Sequence, residues 1–180
     1  MRRLFVALPM PEEVQDRLEV LAHLLPLPRR VLPEHYHLTL AFLGDAVRDD
    51  VGQAAHEAFE TIRLPPVTLT LRGAGLFGGA KPRSVHAEVL PDDGLSRLQA
   101  KVETAARRAG APVESRRFVP HVTLARFRPR DVDLPRLELA LLQVAGFSIG
   151  PVTLDAFALY ESHLSPDGPD YDELARYPLG

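Results

Sequence analysis

One five-residue pattern occurs twice in this chain of 180 residues: His37-Leu38-Thr39-Leu40-Ala41 and, 84 positions later, His121-Val122-Thr123-Leu124-Ala125. With seven His and seven Thr in the chain, a His-x-Thr triplet arises by chance about 0.3 times. Two copies that also share the next two residues are a real repeat. Both segments are short, apolar and rich in strand formers, and both read as β-strands. On a strand, residues i and i+2 point to one face. Each copy therefore sets an imidazole beside a hydroxyl on one surface, and the chain must fold so that it contains two such strands.

The surroundings of the two copies repeat as well. Alternating bulky residues predict a strand at 2–8, and Pro11 with Glu12 and Glu13 starts a helix whose stripe is Val14, Leu18, Leu21, Leu24 and Leu25. A proline-rich loop leads to the first motif strand, 36–43. A helix follows at 47–62, then strands at 67–72 and 84–90, with Phe77 in a glycine-rich loop between them. A helix from Asp92 to about Ala109 ends at Gly110. The loop 111–117 leads to the second motif strand, 119–127. A short helix at 135–145, a strand at 151–160 and a Pro- and Gly-rich acidic tail at 161–180 complete the chain. Strand, helix, loop and motif strand thus occur twice, without sequence identity outside the motifs. The expected fold is α+β and bilobal: one unit over 1–180 with two pseudo-symmetric, intertwined lobes, antiparallel sheets lining a central cleft and helices outside. The pseudo-two-fold axis is expected to place the motif strands on opposite walls of that cleft.

Composition narrows the chemistry. There is no cysteine, which removes thiolate catalysis and Cys-based metal sites and fits a reducing, cytoplasmic setting. No apolar run approaches a membrane span. The net charge is −3, unlike that of a protein gripping long nucleic acid by its phosphates, so an RNA substrate would be held locally, at an end. Against that acidic total, Arg107, Arg108, Arg116, Arg117, Arg126, Arg128 and Arg130 stand near the second motif with only Glu114 and no other acid between 107 and 130.

A lone histidine on a sheet face is as often a structural residue as a functional one. Two facing one cleft suit a reaction that needs a base on one side and an acid on the other, because His titrates near neutrality. In-line displacement at phosphorus has that requirement. Thr39 and Thr123 would donate to non-bridging phosphoryl oxygens, and no metal or other cofactor is needed. Arg126 is the strongest candidate to hold the phosphate in a bidentate fork. Strict alternation, however, puts it on the face opposite His121 and Thr123 unless the strand ends or bulges first. Phe77, Phe118 and Phe127 are candidates to stack on a base. His35, with His37, makes half of a metal-like pair, but no third or fourth ligand appears. His86 borders the cleft with a structural role expected, and His23, His56 and His163 receive none.

These residues resemble the 2H phosphoesterases, named for two His-x-Thr motifs, and within them the RNA 2′,3′-cyclic phosphodiesterase or 2′-5′ RNA ligase (LigT-like) branch. The similarity runs from Arg3-Leu4-Phe5-Val6-Ala7-Leu8 through Pro33–Gly44 and Phe118–Arg126 to Leu159-Tyr160-Glu161-Ser162. It implies a bilobal fold and a metal-independent opening of a 2′,3′-cyclic phosphate to a 2′-phosphate. His37 and His121 would do the acid–base work, and Thr39, Thr123 and Arg126 would hold the phosphate. We take His121 as base and His37 as acid, although the pseudo-symmetry leaves the order open. The implied partners are RNA ends carrying the cyclic phosphate, or small cyclic nucleotides, and the expected state is a monomer. The alternatives are a phosphodiesterase for small cyclic nucleotides, 2′-5′ ligation as a side activity, or a non-catalytic RNA-end binding module.

Overall fold

The structure is a computed structural model that describes residues 1–180. Its elements are β1 (Arg2–Pro9), α1 (Glu12–His23), β2 (His37–Val47), α2 (Asp49–Glu60), β3 (Val67–Phe77), β4 (Ser84–Val89), α3 (Asp93–Arg108), β5 (His121–Arg126), α4 (Leu134–Gln143), β6 (Ser148–Leu154), β7 (Ala156–Ser165) and β8 (Gly168–Pro178). The strands form one antiparallel sheet in the order β6-β3-β4-β5-β2-β1-β7-β8. It divides into two four-stranded halves joined at the β5–β2 seam, where a single residue pair bonds the motif strands. The α+β class follows directly.

The helices bury one stripe each. α1 buries Val14, Leu18, Leu21 and Ala22, while Leu24 stays exposed. The Asp92 side chain caps α3 by accepting from Leu95 N–H at 2.9 Å, and that helix buries Leu95, Leu98, Val102 and Ala106. Together with the inward strand residues these build a continuous core of 42 buried residues. The unit β1-α1-β2 has its counterpart in β4-α3-β5, as the repeated order of elements requires.

Four expectations change. The segment 161–180 is not a tail: it completes β7 and forms β8, paired along its length from Ala156–Pro178 to Ser165–Gly168. Ser165-Pro166-Asp167-Gly168 is its turn, with Pro and Gly in their usual turn positions. β8 is a polar edge strand, so it lacks the apolar alternation that reveals a half-buried one. The strand expected at 151–160 is divided at Asp155 into β6 and β7, and β3 runs on to include Phe77. Finally, the motif strands lie side by side at the seam instead of on separate walls.

Candidate active site

The seam explains how the site is built. Leu38 of β2 pairs with Val122 of β5, and both are fully buried on the helix side. Their neighbours His37, Thr39, His121 and Thr123 must emerge on the other face. Antiparallel pairing then sets His37 across from Thr123 and Thr39 across from His121, so the local two-fold passes through the Leu38–Val122 pair. The burial sequence of six residues is identical in the two copies: half-buried His, buried residue, half-buried Thr, two buried residues, exposed residue.

Each imidazole is fixed in the same manner. His37 Nδ1–H donates to His35 O at 2.7 Å, and His121 Nδ1–H donates to Val119 O at 2.8 Å. A carbonyl only accepts, so the proton sits on Nδ1 and the Nε2 lone pair is left for the open face.

The two consecutive buried residues mark a bulge. Val6 and Ala7 of β1 face Ala41 and Thr39, so Leu40 is an extra residue on β2. Val85 and His86 of β4 face Ala125 and Thr123, so Leu124 is the matching extra residue on β5. A one-residue bulge reverses the alternation beyond it. It brings Phe42 and Arg126, both exposed, onto the histidine face. The conflict over Arg126 is thereby removed: it lies where its charge acts on both His37 and His121.

The imidazoles are wrapped in rings. Phe5 lies 5.0 Å and Tyr171 5.3 Å from His37, centroid to centroid. Phe77 lies 4.7 Å and His86 5.3 Å from His121. Burial pushes His37 down to about 4, with the charges of Arg126 and His121 adding and the bond to His35 O opposing. Burial also lowers His121, again helped by Arg126 and opposed by the bond to Val119 O.

The register also shows where the copies diverge. One strand outward, Thr39 and His37 are flanked by Ala7 and Pro9 of β1, and Phe42 by Phe5. The equivalent flanks of Thr123, His121 and Arg126 are His86, Glu88 and Ser84 of β4. The His37 side is apolar and aromatic, extended by Tyr160 stacked on Phe5 at 5.2 Å. The His121 side is polar. Beyond His37 a recess of about 160 Å³ is lined by Arg29, Leu32, His35, Arg126 and Tyr171 among others. Larger hollows of about 660 and 510 Å³ contain no motif residue.

Other candidates fall elsewhere. Phe118 and Phe127 are half-buried and pack against the core, whereas Phe77 lies against His121. His35 turns to Asp170, 3.5 Å away, and to Tyr171, and nowhere do three or more His, Asp or Glu side chains converge in a metal-binding group. Of the basic run, Arg107 pairs with Glu103, Arg116 with Glu114 and Arg128 with Asp131. Tyr171 and Glu88 were not singled out from the sequence. The signal for Glu88 was the His86-x-Glu88 alternation on a strand next to the motif strand; Tyr171 had none, because it sits on the polar edge strand.

The sequence pattern of the 2′-5′ RNA ligase superfamily matches residues 10–165. The chain belongs to this superfamily. Among its relatives are the RNA 2′,3′-cyclic phosphodiesterases of Bacillus subtilis, 30% identical over 97% of this chain and 95% of that one, and of Escherichia coli, 31% identical over 99% and 97%. The E. coli LigT structure with 3′-AMP bound superposes with a TM-score of 0.80 at 30% identity, covering 99% of this chain and 98% of that one. A solved phosphoesterase structure gives 0.81, also at 30% identity, with 99% and 98% covered. No helix is long and apolar enough to cross a membrane.

Proposed function

We propose that this superfamily member is an RNA 2′,3′-cyclic phosphodiesterase that leaves a 2′-phosphate, with His37 and His121 as its acid–base pair. The observation that carries the reading is the convergence of two Nε2 lone pairs, two threonine hydroxyls and one guanidinium on a single sheet face. The hydroxyls of Thr39 and Thr123 and the Arg126 guanidinium receive the non-bridging oxygens of the cyclic phosphate. A water oxygen bonds to phosphorus as the P–O3′ bond breaks. The water proton passes to one Nε2, and the other imidazolium gives its Nε2 proton to O3′.

The asymmetric flanks support an order. O3′ belongs to the ribose, which stays joined to phosphorus through O2′, so the leaving side carries the nucleoside, which is large and apolar on its ring faces and suits the side of Phe5, Tyr160 and Tyr171. Water suits the polar side. His37 is then the acid and His121 the base. The absence of cysteine fits a cytoplasmic enzyme, and we take it to act as a monomer, which sedimentation would check.

The test is an RNA oligonucleotide ending in a 2′,3′-cyclic phosphate, incubated in EDTA, with product ends identified. The expected product is the 2′-phosphate, lost in His37→Ala and in His121→Ala. Turnover confined to a small cyclic nucleotide would keep the chemistry and change the substrate. Near-full activity in either variant would remove the two-histidine mechanism.

A further inference from the structure

Gly75 leaves a gap in the sheet face beside His121. It pairs with His86 across β3 and β4, and a β-carbon built on it would lie 2.6 Å from Glu88 Oε1 and 3.2 Å from His86 Nε2. Two polar groups therefore converge on the space that glycine keeps open. Glu88 is also the cross-strand partner of His121. His86 is only 5% exposed, its ring stacked on Phe77 at 4.0 Å.

The chemistry of His86 differs from that of the motif histidines. Its Nδ1 is buried with no hydrogen-bond partner. A proton there would be a donor stranded in a dry interior. The tautomer with the proton on Nε2 leaves only a lone pair inside and places the donor at the Gly75 gap. His86 thus presents an N–H where His121 presents an acceptor, and Glu88 adds a second acceptor.

Resting on the assignment of His121 as base, we propose that Glu88 and His86 join it in binding the attacking water. Water has two hydrogens and two lone pairs. His121 Nε2 accepts one hydrogen, the Glu88 carboxylate accepts the other, and His86 Nε2–H donates to one lone pair. The remaining lone pair faces phosphorus. As the new O–P bond forms and P–O3′ breaks, the first hydrogen moves to His121 as a proton. The second stays on oxygen, hydrogen-bonded to Glu88. An alcohol carries one hydroxyl hydrogen, so it cannot satisfy both acceptors. Glu88 therefore favours hydrolysis over transfer to a hydroxyl, the step that ligation would use.

The experiment runs the cyclic-phosphate substrate in water–methanol mixtures and separates the 2′-phosphate from its methyl ester. In Glu88→Leu the hydrolytic kcat should fall about 10- to 100-fold, with KM held within about two-fold, and the ratio of methyl ester to 2′-phosphate should rise. His86→Leu should lose kcat similarly, and His86→Gln, which keeps an N–H donor near the same place, should recover much of it. Gly75→Ala should reproduce the Glu88 effect by displacing that carboxylate. Glu88 is exposed, so its substitution leaves the fold intact, which an unchanged Tm would verify. Raised KM with unchanged kcat, or an unchanged product ratio, would overturn the proposal. His121→Ala in the same assay separates the two ideas. If it is inactive while Glu88→Leu turns over fully, this inference alone fails; if it is active, the assignment beneath it fails.

Discussion

The pH dependence of turnover follows from where the two imidazoles sit. His37 is pushed down to about 4. A group titrating there carries its proton at pH 7 in about one molecule in a thousand. His121 is lowered too, so the free enzyme at neutral pH holds two neutral rings, whereas the proposed acid–base mechanism needs one proton on the pair. kcat/KM reports the free enzyme. It should rise about ten-fold for each unit that the pH falls below neutrality, until the pair takes up its first proton, and drop when it takes up the second. Both limbs should lie below the ordinary histidine value near 6.5. The bound phosphodiester is negative and favours an imidazolium, so the kcat profile should sit at higher pH than the kcat/KM profile. Tyr171→Ala supplies the control. The Tyr171 ring stands edge-on to His37 at 5.3 Å, and its removal admits water, so the limb belonging to His37 should move up by about one unit. The assay is initial rate against pH on a short cyclic-phosphate oligonucleotide. A kcat/KM maximum above pH 7, or limbs unmoved by Tyr171→Ala, would refute burial as the control on these groups.

Arg126→Lys should retain a charge but lose the planar fork, raising KM, and Arg126→Ala should also move both histidine limbs upward, because Arg126 lowers each of them; the same rate profiles decide it. Phe42→Arg places a second cation at the position equivalent to Arg126 and should push the kcat/KM profile to still lower pH. Leu38→Ala empties a fully buried site at the one pair joining the sheet halves, at a cost of about 2–5 kcal/mol in urea unfolding. His86, buried and held to about 4, takes up its proton more readily in the unfolded chain. Stability should therefore be at its full value above pH 6.5, the ordinary value for histidine, and decline as pH falls from there towards 4. His86→Phe should flatten that decline in Tm measured against pH.

Much of this site was legible because its signals are local. His37 with Thr39, and His121 with Thr123, share faces through the two-residue period alone, and the repeated strand-helix-strand order is a matter of spacing. Arg126 was not placed, since alternation counts residues and a bulge inserts one. A sign of the bulge nonetheless stands in both copies as the adjacent apolar pairs Leu40-Ala41 and Leu124-Ala125. β8 was missed because an edge strand bearing Asp170, Asp172 and Glu173 has no apolar face to announce it, and with it went Tyr171, the ring that helps to keep His37 dry. The meeting of β2 and β5 is a long-range event resting on one pair, and no window of sequence contains it.

The way the two copies diverge is a physical argument about the reaction. In-line displacement looks the same from either end: an oxygen enters as another leaves, and each needs a proton handled. A pair of identical His-x-Thr strands therefore suffices for the bond changes, and it can be built by repetition. What differs between the ends is the cargo, a nucleoside on one and water on the other, so the asymmetry belongs on the next strands out. It is found there, as Phe5, Ala7 and Pro9 against Ser84, His86 and Glu88 at equivalent register positions. The bulge positions break the symmetry once more, with Phe42 opposed to a single Arg126. A cyclic phosphodiester carries one negative charge. A second arginine would add little binding while making the proton on the acid still harder to keep, since the first already lowers both imidazoles. In the mechanism proposed above, one guanidinium balances holding the phosphate against keeping an acid available to protonate the leaving oxygen.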